Sequence, residues 1–306
     1  MKFYKNIIFV LLVLLTSSMK THAQQQVMYT QYMFNGLAIN PAYAGSYGAV
    51  TSTFLAREQW VGLDGAPSSQ TFSIHSPINN TESANVGAIL THDKIGVTNS
   101  SAAMGVYSYR IQLEGEARLA FGLQAGLATY KTELTAISST DPAFSQDTNE
   151  TRFNFGAGIY YNTDRFYAGI AVPHMIRSKL YQNQDDPEAG LRRHIFASVG
   201  YLFDLSPNLK FKPNLLIKYV DNAPMSMDIN ANFLLKDIIW LGLSYRTFDS
   251  FDFIGSIQLT EQLQLGYSYD FATSKHVSRI NSGSHEIMLQ YKFVFSKKKV
   301  ISPRYF

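Results

Sequence analysis

The chain of 306 residues has no cysteine and little charge, 16% Asp, Glu, Lys and Arg against roughly 25% in an ordinary soluble domain. The missing cysteine excludes disulfides, thiolate metal sites, a cysteine nucleophile and a lipid-modified N-terminal cysteine. Beyond the N-terminus, no run reaches the roughly 20 apolar residues that a membrane-spanning helix needs. The mean hydropathy is −0.08. There is no G-x-S-x-G and no G-x-x-x-x-G-K-[ST], the signatures of an esterase elbow and a phosphate loop. None of the seven histidines (His22, His75, His92, His174, His194, His276 and His285) has another at metal-ligand spacing. His92-Asp93 and His285-Glu286 are adjacent pairs, and adjacent strand residues point to opposite faces. Asp185-Asp186-x-Glu188 lacks the spacing and glycine of a defined calcium loop. The expectation is no catalytic residue, no metal and no cofactor.

What the chain does have is aromatic side chains, 21 Phe and 19 Tyr, and a charged but short apolar start. Lys2 and Lys5 precede the apolar run Ile7 to Leu15, and Thr21-His22-Ala23 offers a small-x-small cleavage site before Gln24. This is the layout of a secretory signal peptide over residues 1–23, with an apolar core too short to span a bilayer. That segment carries three lysines and no acid, so the formal +3 belongs to it and the remainder has 23 basic and 23 acidic residues. A neutral exported chain gives no electrostatic footprint for nucleic acid.

After Gln24 the pattern has period two. Met227, Ile229, Ala231 and Phe233 alternate with Asp228, Asn230 and Asn232; Leu263, Leu265, Tyr267 and Tyr269 alternate with Gln264, Gly266 and Ser268. Ile287, Leu289, Tyr291, Phe293 and Phe295 alternate with Glu286, Met288, Gln290 and Lys292, and Leu119 to Leu127 behaves likewise. Each such segment has one apolar and one polar or small face. About fourteen can be placed between residues 48 and 295, most of them near the length of a tilted membrane-spanning strand. Short turns, such as Glu114-Gly115-Glu116 and Asn162-Thr163-Asp164, follow even-numbered strands. The long loops 131–152, 173–193 and 270–283 follow odd-numbered ones. Transmembrane barrels sort loop length in this way, with short periplasmic turns and long extracellular loops. A secreted β-sandwich or lipocalin-like fold would have shorter strands and more charged outward faces. The fold class predicted is all-β: a transmembrane antiparallel up-and-down β-barrel of about 14 strands in the outer membrane, in contact with its lipid. An even strand count leaves both termini in the periplasm, including the tail 296–306.

Residues 24–47, ahead of the first strand, are rich in aromatic, amide and small residues. The expectation is a plug-like segment packed in the barrel lumen or at its periplasmic mouth. Here the residues resemble a known family. Gln31-Tyr32-Met33-Phe34-Asn35, followed by Ile39-Asn40-Pro41-Ala42-Tyr43-Ala44-Gly45, closely resembles the N-terminal signature of the PorP/SprF family. These are outer-membrane proteins of the type IX secretion system in Bacteroidetes. Arg57-Glu58-Gln59-Trp60-Val61-Gly62, with Gly65-Ala66-Pro67, looks like the family's first strand and loop. Tyr267-Ser268-Tyr269-Asp270 and Gly283-Ser284-His285-Glu286-Ile287-Met288-Leu289 look like its last hairpin. The match covers essentially all of residues 24–295. One departure is Gly36 in Asn35-Gly36-Leu37, where the family pattern leads one to expect proline.

The resemblance implies a non-enzymatic barrel that supports export or surface attachment of a client such as a gliding adhesin. Its partners would be the C-terminal domain of that client and periplasmic secretion components. A transporter or pore for small, hydrophobic molecules is the alternative from a different class. A hydrolase assembled from Ser and His on separate strands, as in outer-membrane phospholipases, is a third, tested by cleavage of lipid or peptide.

Overall fold

The structure, a computed structural model, describes residues 26–293 except 79–82, 138–144, 177, 180–189, 222 and 275–278. The signal peptide of residues 1–23, the tail 296–306, Phe295, His22, His276 and the acidic cluster at Asp185 therefore lie outside the described residues.

Fourteen antiparallel staves form one closed sheet. They are β1 (Val50–Glu58), β2 (Ser68–Pro77), β3 (Ala84–Ile95), β4 (Thr98–Gln112), β5 (Arg118–Thr132), β6 (Thr148–Asn162) and β7 (Phe166–Val172). The wall continues with β8 (His194–Tyr201), β9 (Leu209–Val220), β10 (Ser226–Leu235), β11 (Ile239–Arg246), β12 (Ser250–Gln258), β13 (Leu263–Ala272) and β14 (Ser284–Phe293). Each stave pairs with its sequence neighbours, and β1 pairs with β14 in the register Arg57↔Glu286, so the sheet has no free edge. In hydrocarbon that closure is obligatory, because each unpaired backbone group there costs several kcal/mol. β8 is interrupted at Leu202 and resumes as Phe203–Ser206, paired with β9 through a bulge between Asp204 and Ser206. A two-residue pairing of Ser178–Lys179 with Gly190–Leu191 extends the connection between β7 and β8.

The faces follow the alternation in the sequence, inside out relative to a soluble protein. Leu265, Leu289, Leu241 and Leu243 lie on the outer surface, whereas Gln264, Gln290, Asn230, Asn232 and Glu286 are buried in the lumen. An apolar outer band over a polar interior is the arrangement that lipid imposes on a barrel. The short connections, 78–83, 113–117, 163–165, 207–208, 236–238 and 259–262, all follow even-numbered staves. The long ones share the opposite end. Two tight turns, 96–97 and 247–249, also sit at that end, so only some of its connections project. The loop expected over 131–152 narrows to 133–147, because β5 and β6 pair in register from Thr132↔Thr148 to Arg118↔Asn162.

Before β1 the chain forms three single-turn 3-10 helices, Tyr32–Phe34, Gly36–Ala38 and Pro41–Tyr43. These lie inside the barrel. Tyr29, Tyr32, Met33, Phe34, Leu37, Ala42 and Tyr43 are all buried, and they form the molecule's apolar core together with lumen-facing residues such as Leu55, Phe196, Leu216, Trp240 and Met288.

Candidate functional site in the barrel lumen

The segment 26–47 carries no charged side chain, yet it meets a charged wall. Seven neighbouring staves each turn one charged residue into the lumen near the long-loop end. These are Lys218 on β9, Asp228 on β10, Arg246 on β11, Asp252 on β12, Asp270 on β13, Glu286 on β14 and Arg57 on β1. Strand parity makes the arc, because each residue occupies an inward position of its stave. Asp228 faces Arg246 and Glu286 faces Arg57 directly across strand pairs, while Asp252 faces Asp270. Arg57 Nη1 lies 2.6 Å from Asp270 and 3.4 Å from Glu286. Lys218 is 2.6 Å and Arg246 Nε 3.2 Å from the same oxygen of Asp228. Charges removed from water in this way require partners.

The resident segment supplies several of them. Thr30 donates its hydroxyl to Asp270 (2.8 Å) and accepts from Arg57 (3.1 Å) and Arg246 (3.3 Å). One uncharged oxygen thus joins the two ion-pair clusters. Glu286 accepts two successive backbone N–H groups, from Thr30 to Oε2 (2.8 Å) and from Gln31 to Oε1 (2.9 Å). The Gln31 amide donates back to the Glu286 carbonyl (3.4 Å). Lower in the lumen, the Tyr32 hydroxyl accepts from Asn230 (3.0 Å) and the Phe34 carbonyl from Gln290 (2.8 Å). Met33 packs in the same apolar cluster, and the Phe34 ring meets Trp240 edge-on at 5.9 Å. Asn35 accepts from Ser73 (2.8 Å).

The second half of the segment seats towards the short-turn end. Asn40 caps the turn Pro41–Tyr43 through Ala42 N–H (2.9 Å), with Pro41 at the first position where its missing N–H costs nothing. The Asn40 amide reaches the Ile159 carbonyl on β6 (2.9 Å). Tyr43 lies in an aromatic nest, with ring centroids 5.4 Å from Tyr160, 5.9 Å from His75 and 6.2 Å from Tyr47. Burial holds the Tyr32 and Tyr43 hydroxyls well above the usual phenol range. Gly45 donates its N–H to His75 Nδ1 (3.0 Å), and Arg110 grips the carbonyls of Ala44 (3.2 Å) and Gly45 (3.0 Å). Glycines make this fit, among them Gly158 against the Asn40 side chain. At Gly122 on β5, an added Cβ would collide with the Ala42 backbone. At Gly36, a Cβ would come within 2.6 Å of the Tyr43 ring, which explains the glycine where the family pattern suggests proline.

The first-strand motif divides between lumen and rim. Arg57 is in the charged arc. Gln59 N–H bonds the Pro67 carbonyl, the Gly65 carbonyl accepts from Gly96, and Trp60 N–H bonds Ser284 Oγ (3.2 Å). Val61 exchanges two backbone bonds with Gly283 and Ser282. The Gln31, Arg57–Gly62 and Gly283–Glu286 blocks, far apart in sequence, therefore converge at the β1–β14 seam, whereas the Asn40–Gly45 block seats against β2 and β4–β6. Sequence reasoning missed Thr30, Lys218, Asp228, Arg246, Asp252 and Arg110. The charged wall residues among them did leave a signal: in a chain poor in charge, each sits at an inward parity position near a strand end. Among the described residues no group of three or more His, Asp or Glu is placed to hold a metal ion.

Solved structures similar to this chain include a Pseudomonas aeruginosa FadL homologue (12% identity, TM-score 0.48, 86% of this chain and 94% of that one). Others are Acinetobacter baumannii Omp33 (7%, 0.46, 80% and 98%) and Salmonella typhi OmpF in complex with daunomycin (11%, 0.39, 81% and 98%). No curated protein matches. The family model described as type IX secretion system membrane protein PorP/SprF matches residues 21–291. With that match over most of its length, this closed outer-membrane barrel belongs to the PorP/SprF family.

Proposed function

We propose that the barrel is a non-enzymatic component of the type IX secretion system that receives a secreted client protein, such as an adhesin, for export or surface attachment. The long-loop end faces the cell exterior and meets the client's C-terminal domain. The short-turn end faces the periplasm and its secretion components, and the chain reaches the membrane after cleavage of the signal peptide. The observation that carries the reading is the lumen: an uncharged peptide segment fills it, bonded to four members of a seven-stave charged arc, Arg57, Arg246, Asp270 and Glu286. Such an interior is built to hold polypeptide by hydrogen bonding and shape, rather than to pass solutes.

The test is affinity purification of the full chain in mild detergent from its native membrane, followed by mass spectrometry. Co-purification of a large secreted protein with a C-terminal sorting domain supports the reading. Solute uptake by liposomes containing the wild-type barrel, with no such partner recovered, would favour a transporter instead.

A further inference from the structure

We propose that the charged arc of β9–β14 and β1 is a peptide-binding site, that its ligand class is an uncharged peptide with a hydroxyl residue, and that residues 26–34 occupy it as a displaceable strap. The recognition elements are general to peptides. Glu286 chelates two successive backbone N–H groups, and any residue other than proline supplies those. The hydroxyl position is selective. Thr30 must donate to Asp270 while accepting from Arg57 and Arg246, a combination that an alkyl or charged side chain lacks.

The two halves of the segment are held differently. The second half is interlocked: Arg110 grips two of its carbonyls, Asn40 hooks β6, and the Pro41–Ala42 backbone lies against Gly122. The first half enters the lumen with Val27 and Met28 only partly buried and packed against the core, and Tyr29 ties to the wall through one hydroxyl bond to Thr71 (2.8 Å). Its polar hold centres on Thr30 and Gln31, with one further bond each at the Tyr32 hydroxyl, from Asn230, and the Phe34 carbonyl, from Gln290. A competing peptide of the same chemistry can replace each of those bonds without leaving a wall charge unpaired. The natural competitor would be a client segment, and in that identification alone the inference rests on the proposed function.

The test uses the whole chain and its own sequence as the probe. Because the protein has no cysteine, Gln26→Cys gives a single site for a nitroxide spin label. The label is expected to be immobilised in the otherwise wild-type barrel in detergent micelles. A synthetic peptide spanning residues 26–35 is then titrated to several millimolar, because a tethered strap competes at roughly millimolar effective concentration. The mobile fraction should rise several-fold with the peptide, and should rise without it in a Glu286→Gln background. The same peptide carrying Thr30→Val should have at least tenfold less effect. A label that stays immobile under every condition would show a fixed plug. A label already mobile in the unliganded chain would show an unseated tail. Equal displacement by the two peptides would show that the arc does not read the hydroxyl. Each of these three outcomes overturns the inference, whether or not a client is ever recovered.

Discussion

Thr30 and Arg57 show how a barrel interior accommodates charge. Arg57 is 3% exposed and sits between Asp270 and Glu286. Removing it leaves two carboxylates buried without their cation. Breaking a buried pair in this way costs about 3–5 kcal/mol, whereas an exposed pair contributes about 0–1 kcal/mol. Arg57→Ala should therefore lower the denaturant midpoint of the barrel in micelles markedly. Arg165→Ala, which removes an exposed pair with Asp204, should scarcely move it. The outer face obeys the opposite rule. Leu265 faces lipid and its neighbour Gln264 faces the lumen, bonded to Ser256. Leu265→Arg should reduce assembly into vesicles by about 2–4 kcal/mol, the cost of an arginine at mid-bilayer. Gln264→Ser loses one hydrogen bond, about 1 kcal/mol. Equal assembly yields would contradict the assignment of faces.

Among the elements, the segment of 3-10 turns is the unusual one. Asn40-Pro41 sets a turn rather than a long helix, because the residue before proline is steered away from the helical region. Asn40 is accordingly extended, at φ −137° and ψ 115°. The turns are anchored to the wall, and the second and third also touch each other where the Tyr43 ring lies against Gly36. β5 and β6 make room with glycines, and Gly122 is the tightest contact of β5 with the turn Pro41–Tyr43. Valine is at home in a strand, so Gly122→Val should leave the wall intact while displacing the turn. The expected result is a folded, heat-modifiable barrel in which limited proteolysis cuts between Asn40 and Tyr43. A variant as resistant as wild type there would show that the turn does not depend on that fit.

Across the whole molecule, loop length and strand parity define two ends. The proposed orientation puts the 133–147 connection outside the cell and the 113–117 turn in the periplasm. A membrane-impermeant maleimide should label Thr135→Cys on intact cells. Glu116→Cys should react only after the outer membrane is opened. Labelling with the reverse preference would invert the topology.

The strand pattern, the even count near fourteen, the lipid-facing residues and the sorting of loops by length were legible in the sequence, because period-two alternation and turn chemistry are local properties of the chain. The motif blocks at Gln31, Asn40, Arg57, Asp270 and Glu286 were legible as motifs. The meeting of the Gln31, Arg57, Asp270 and Glu286 blocks was not. Arg57 and Glu286 stand 229 residues apart and become neighbours only when β1 pairs with β14 to close the barrel. The one-charge-per-stave arc is likewise a product of closure: lone lumen charges such as Lys218, Asp228 and Arg246 form a network once register brings their staves side by side. Thr30 gave no signal of its own, since a threonine in a polar stretch has many possible roles. Only the tertiary structure decided that its hydroxyl would join the two clusters, because a buried charge takes whichever polar partner the fold brings within hydrogen-bonding distance.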